Sequence, residues 1–224
     1  GYVTGHFGKW HMGGGRDVTN APPFREYGFD ENSSTYESPE PDPILTGTNW
    51  IWSQFDLVKR WDRTAYFVEK TLDFLKRHKG EPCFVNLWPD DVHTPWIPEG
   101  TDLTQRRYPE ERSTFDPVLA DYDKQIGRFM AGLKKLGLDE NTIVIFTSDN
   151  GPLPTMDRSR TAGLRGAKDS LYEGGTREPF IVRWPGRVAP NAKTGQIGHV
   201  IDVAPTLLEL ARAEPPANLE GRSL

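Results

Sequence analysis

The chain has 224 residues, a formal net charge of −5, and 36% hydrophobic against 26% charged residues, which is the balance of a globular protein long enough to bury a substantial core. Its negative charge argues against nucleic-acid backbones and anionic membranes as general partners, and no apolar run approaches the roughly 20 residues of a membrane-spanning helix. A single cysteine, Cys83, excludes an internal disulfide framework and a zinc site built from several thiolates.

In chain order, residues 1–7 alternate as a strand does. From Gly13 to about Trp61 there is little periodicity, and the Pro-, Ser- and Asn-rich run over 32–49 reads as loop. So long an irregular stretch inside a compact domain is functional or an insertion. Over 62–80, Phe67, Val68, Thr71, Leu72 and Leu75 share one helical face, basic residues fill the last turn, and Gly80 suits the C-terminal cap. Residues 82–88 form a short apolar strand in which Cys83 reads as an inert core thiol. Over 116–138, Val118, Tyr122, Ile126, Phe129, Met130, Leu133 and Leu136 recur at threes and fours, predicting a helix that Gly137 ends. Residues 142–147 are an apolar, β-branched strand, 179–186 another, and 204–213 a final helix with Pro205 in its first turn. Alternating strands and helices, with strands apolar on both faces, predict an α/β layered fold with a largely parallel sheet.

Ligands in such folds bind beyond the carboxyl ends of the strands. Three strand ends carry polar groups: Lys9-Trp10-His11 after the first, His93 after the second, and Ser148-Asp149-Asn150-Gly151 after the third. Each has a plain structural reading and a chemical one. Asp149-Asn150-Gly151 is a turn sequence, or a carboxylate and an amide oxygen offered to a hard cation such as calcium or magnesium. Lys9 and His11 are a solvated lysine and a part-buried histidine, or a cation and an imidazole on one face of a strand beside an anionic substrate. The stretch is not a phosphate-binding P-loop, because Val3 stands where its first glycine belongs and Trp10 follows the lysine. His93 is an exposed loop histidine, or a proton donor to a leaving group with Asp90 and Asp91 near enough to orient it. Gly163, Gly166, Gly174 and Gly175 imply a tightly folded loop on which Lys168 is either a solvated lysine or an anion contact held rigidly, with Glu173 and Arg177 as a local ion pair.

Taken together and in this order, these stretches resemble the sulfatase family of the alkaline-phosphatase-like superfamily. "GYVTGHFGKWHMG" is similar to the family's second signature and "HTPW" to its His-x-Pro element. "TSDNG" is similar to its metal-binding Asp-Asn, and "GAKDSLYEGGTREPFIVRWPG" to its lysine followed four residues later by Tyr-Glu-Gly-Gly. "IDVAPTLLELA" is similar to the helix near the end of its catalytic domain. The resemblance implies an alkaline-phosphatase-like α/β/α fold and hydrolysis of sulfate monoesters, on a sulfated small molecule or glycan. It implies that Lys9 helps hold the nucleophile and the sulfate, and that His11 assists sulfate release. His93 and Lys168 would contact the sulfate and the leaving oxygen, and Asp149 and Asn150 would bind calcium, with magnesium as the alternative. A periplasmic, secreted or lysosomal location is implied on the same ground.

The family's nucleophile is a formylglycine made in a Cys/Ser-x-Pro-x-Arg motif that this chain does not encode, since Cys83 is followed by Phe-Val-Asn. The family's paired aspartates, which complete its metal site, are also missing. The expectation is therefore a central and later catalytic portion over 1–213, with 214–224 beginning a link to a further subdomain, and inactive by itself. Two rivals remain: a phosphate or phosphonate monoester hydrolase of the same superfamily, and a binding protein that keeps the pocket without catalysis.

Overall fold

The computed structural model describes residues 1–15, 18–48 and 50–224, and for residue 158 the backbone alone. The chain divides into two compact units, one of residues 1–141 and 155–159, the other of 142–154 and 160–224.

The first unit is built on a parallel sheet of order β2-β1-β3, from β1 (Val3–Gly8), β2 (Glu31–Ser34) and β3 (Cys83–Trp88). Its register runs from Gly5 opposite Glu31 to Gly8 opposite Ser34, and from Val3 opposite Cys83 to Gly8 opposite Trp88. Helix α1 (Arg63–Arg77) packs on β1 and β3 and turns Phe67, Val68, Thr71 and Phe74 inward. Phe67 and Phe74 join Phe7 and Leu45 in the core, each such side chain contributing about 1.5–3 kcal/mol by leaving water. Leu72 and Leu75 are only partly covered. The helix closes on His78, and Gly80 takes its positive φ two residues later.

Helix α2 (Arg112–Leu136) starts with a reciprocal capping box between Glu111 and Thr114. It ends where Gly137 turns left-handed and the Leu138 amide returns to the Leu133 carbonyl, at 2.9 Å, a geometry that glycine adopts without strain. Phe115 and Val118 of this helix pack with Trp96 and Met156 in a second cluster.

The stretch expected to be loop, 13–61, contains β2. That strand, Glu-Asn-Ser-Ser, carries no apolar signal, yet Ser33 and Ser34 are buried. Their hydroxyls reach Asp42 at 2.7 Å and the Gly8 carbonyl at 2.8 Å. Phe24 and Leu45 are fully buried within the same stretch. The Asp56 carboxylate ties it together by accepting from the Gly47 and Ser53 amides, both at 2.8 Å, and from Arg63 at 3.1 Å.

The second unit holds β4 (Val144–Thr147), a one-turn helix α3 (Glu173–Thr176), β5 (Phe180–Arg183) and α4 (Val203–Leu210). Here β4 and β5 pair antiparallel, with Val144 opposite Arg183 and Thr147 opposite Phe180; the parallel pairings are those of the first unit. Phe180 and Ile181 stay 42% and 59% exposed, so these strands are not covered on both faces as their composition predicts. Two strands and two short helices offer too little surface for that. Among the described residues no helix is long and apolar enough to cross a membrane.

Candidate active site

In the first unit the carboxyl ends of β1 and β3 lie side by side, and Gly8 forms the junction. Its φ is +132°, and a Cβ there would sit 2.0 Å from the Trp88 carbonyl oxygen, so only glycine is accommodated. The kink takes Lys9 out of the strand, with its amide donating to that carbonyl at 2.8 Å. Lys9 and His11 therefore do not share a strand face as alternation predicts, and His11 has a φ of +54°. Between them Trp10 is buried, its ring packed against those of His6, Phe24 and Tyr27 at 4.8–5.1 Å. The indole is the anchor, and the lysine and histidine are the groups it presents.

His11 is held through Glu37. Its amide donates to the Glu37 carbonyl at 2.8 Å and its Nε2 lies 3.5 Å from the Glu37 carboxylate. That carboxylate is buried, whereas the imidazole is 43% exposed. Beneath the junction, His6 is fully buried among Trp10, Phe24, Phe29 and Trp88, with ring centroids 5.1–5.5 Å away. Burial lowers its pKa to about 4 in spite of hydrogen bonds with the backbone of Gly8 and Lys9.

His93 lies on the loop after β3. Asp90 and Asp91 do not orient its ring, contrary to the sequence reading. The Asp90 carboxylate is engaged by Arg60 and by Arg63, the latter at 3.1 Å. Burial pushes its pKa up, but the two guanidiniums outweigh that and hold it below the ordinary value. Asp91 accepts from the Thr64 amide at 2.9 Å, at the start of α1; burial, then the charge of Asp90, raise its pKa to about 6. Both carboxylates fix the loop to the helix. Arg60 also donates to the His93 carbonyl at 2.9 Å, and buried Trp96 donates to the Val92 carbonyl at 2.9 Å. The ring is oriented by its neighbour: His93 Nδ1 lies 2.8 Å from the Thr94 carbonyl. A carbonyl only accepts, so Nδ1 carries the proton there and Nε2 is the nitrogen that exchanges one.

In the second unit, Asp149 and Asn150 follow β4 directly. The Asn150 amide nitrogen donates to the Gly151 carbonyl at 2.9 Å, which turns its oxygen the other way. The Lys168 loop is stitched to this turn by two backbone bonds, Gly151 N to Gly175 O at 3.0 Å and Lys168 N to Pro152 O at 2.8 Å. The glycines permit that approach, since a Cβ on Gly151 would lie 2.2 Å from the Gly174 oxygen. Glu173 and Arg177 form the expected ion pair, at 3.0 Å and exposed. Cys83, whose thiol burial and then Glu81 push up in pKa, packs against the first unit's core.

Thus Lys9, His11 and His93 stand in the first unit, and Asp149, Asn150 and Lys168 in the second. Oxygen donors from Asp149 and Asn150 suit a hard cation. Burial and then the charge of Asp149 raise the pKa of Glu178, which places a second carboxyl group near Asp149, and this oxygen-donor chemistry fits calcium. The shell is partial: calcium takes about six to eight oxygens, and the described residues hold no cluster of three or more acidic, His or Cys ligands. Sequence reading missed Glu37 and Glu178, which sit outside any motif and gain meaning only from their neighbours.

A family model described as Sulfatase matches residues 1–213. The chain belongs to the sulfatase family. It is 29% identical to N-acetylgalactosamine-6-sulfatase of Canis lupus familiaris over 97% of this chain and 44% of that protein. Against human arylsulfatase A it is 30% identical over 100% of this chain and 48% of that protein. This sulfatase chain thus spans about half the length of those relatives. Its fold is similar to a solved structure concerned with the metabolism of multiple glycosaminoglycans by Bacteroides thetaiotaomicron. That similarity has a TM-score of 0.75 at 29% identity, over 100% of this chain and 60% of that one.

Proposed function

We propose that the protein containing this chain hydrolyses sulfate monoesters, with Lys9, His11, His93 and Lys168 acting at the sulfuryl group and Asp149 and Asn150 holding a calcium ion. The Gly8–Trp88 junction, which brings Lys9 beside the strand end that feeds the His93 loop, supports the reading most directly. Lys9 and Lys168 offset negative charge on the sulfuryl oxygens, the kind of electrostatic contribution that dominates such reactions. His93, protonated at Nε2, gives that proton to the ester oxygen as its bond to sulfur breaks, so the alcohol leaves neutral. His11, braced by Glu37, assists departure of sulfate. Asp149 and Asn150 would hold the calcium ion, which would supply Lewis-acid stabilisation of negative charge. The nucleophile is not encoded here, and the family resemblance points to a formylglycine. An exported or lysosomal location belongs to the same proposal.

The test compares 4-nitrophenyl sulfate with 4-nitrophenyl phosphate as substrates of the full-length protein and its Lys168→Ala variant. The sulfate ester is expected to be preferred, with kcat falling about 100-fold or more in the variant at an unchanged circular dichroism spectrum. Preference for the phosphate ester, or undiminished turnover without Lys168, refutes the assignment.

A further inference from the structure

On the loop that carries His93, at Thr94 and Pro95, the first unit opens a cleft of about 440 Å³, within the range of small-ligand sites. We propose that it is a subsite for a saccharide bearing a second anionic group, so that the sulfate ester attacked at His93 belongs to a sugar charged at more than one position. This rests on the sulfate-ester reading above and names the substrate class.

The cleft shares its wall with the reactive rim. Thr94 and Pro95 line it, and the Thr94 carbonyl is the group that orients the His93 ring. A ligand in the cleft therefore touches the residue that follows His93 and holds its ring, which puts the cleft on the loop that the proposed reaction uses.

Its chemistry is that of a sugar site. Trp52 and Tyr108 form an aromatic wall, with ring centroids 5.4 Å apart and planes at 66°. Aromatic faces are electron-rich and attract the polarised C–H face of a pyranose. The Tyr108 hydroxyl is buried with no hydrogen-bond partner, a cost that a ligand hydroxyl relieves. Gln105 adds an amide at the rim.

Two adjacent arginines, Arg106 and Arg107, also line the cleft. Neither is taken up in an ion pair among the described residues, unlike Arg60, Arg63 and Arg77. Guanidinium forks match the paired oxygens of sulfate and carboxylate. Glu110, the one carboxylate in the lining, repels an anion on its own side and so favours one orientation. Both walls are held in place, one through Arg60 on the His93 carbonyl and one by the Thr114 hydroxyl on the Pro109 carbonyl at 2.7 Å.

The experiment uses the full-length protein and three probes: 4-nitrophenyl sulfate, N-acetylgalactosamine 6-sulfate, and its 4,6-disulfate. For the double variant Arg106→Gln/Arg107→Gln, the ratio of kcat/KM for the disulfate to that for the aryl sulfate is expected to fall about tenfold or more. For Trp52→Ala, both sugar ratios are expected to fall. Affinity for the disulfated sugar, read by titration calorimetry, should weaken about tenfold in the double variant. Ratios and affinity within twofold of the parent protein overturn the subsite. If the protein turns over no sulfate ester, the functional reading fails, and the calorimetric comparison still decides whether the two arginines bind a doubly charged sugar.

Discussion

His6 gives the first unit a specific acid sensitivity. Its imidazole has an ordinary pKa of 6.5 and a folded value of about 4 because burial among four aromatic rings disfavours the charged form. Between those values the unfolded chain binds more protons than the folded one, so stability rises with pH across the window. The contribution is complete above pH 6.5 and is lost as the pH falls through about 4. A shift of that size amounts to about 3 kcal/mol between neutrality and pH 4. The comparison is with His6→Gln, whose amide nitrogen replaces Nε2 toward the Gly8 carbonyl (3.3 Å in the parent) and does not titrate. Urea unfolding at pH 7.5 and pH 4 can be followed by tryptophan fluorescence, which reports the first unit because every tryptophan but Trp184 lies there. Subtracting the variant removes the carboxylates common to both proteins. The parent should lose about 3 kcal/mol more than the variant on acidification. Losses equal to within about 0.5 kcal/mol would mean that the site accepts an imidazolium, and the account of the aromatic cage would be wrong.

Three further outcomes are expected. Gly8→Ala forces a Cβ against the Trp88 carbonyl at a positive φ and should cost at least about 3 kcal/mol in urea unfolding; a cost below about 1 kcal/mol would contradict the junction. Asp91→Asn keeps an oxygen for the Thr64 amide but cannot ionise. Because burial and Asp90 raise the folded pKa of Asp91 to about 6, the parent should lose stability relative to this variant as pH rises from about 4 to 6, and a flat difference would refute it. Glu37→Gln in the full-length protein should lower kcat for 4-nitrophenyl sulfate about tenfold and leave KM unchanged, since the carboxylate positions His11 and stays buried behind it; an effect on KM alone would place Glu37 in binding.

What the sequence disclosed followed the strength of its periodic signals. Helices α1 and α2, and strands β1, β3, β4 and β5, announced themselves through Phe67, Val118 or Ile145 and their neighbours. Strand β2 did not, because its inward residues are serines whose hydroxyls are satisfied by Asp42 and the Gly8 carbonyl, and an apolar pattern cannot detect polar burial. Among the candidate site residues, Lys9, His93 and Asp149 are singled out by their position after strand ends, and the structure places them there. Partners such as Glu37 for His11 lie far off in sequence. Asp90 and Asp91 misled because nearness in the chain suggested His93, whereas Arg60, Arg63 and the first turn of α1 lay closer in space.

The clamp of Arg60 and Arg63 on Asp90 is sealed from water. Dissolved ions screen exposed charge pairs strongly and enclosed ones weakly, so brine that dissolves the attraction between Arg77 and Glu31 on the surface leaves this one standing. The loop that carries His93 therefore keeps its place from fresh water to the salinity of the sea.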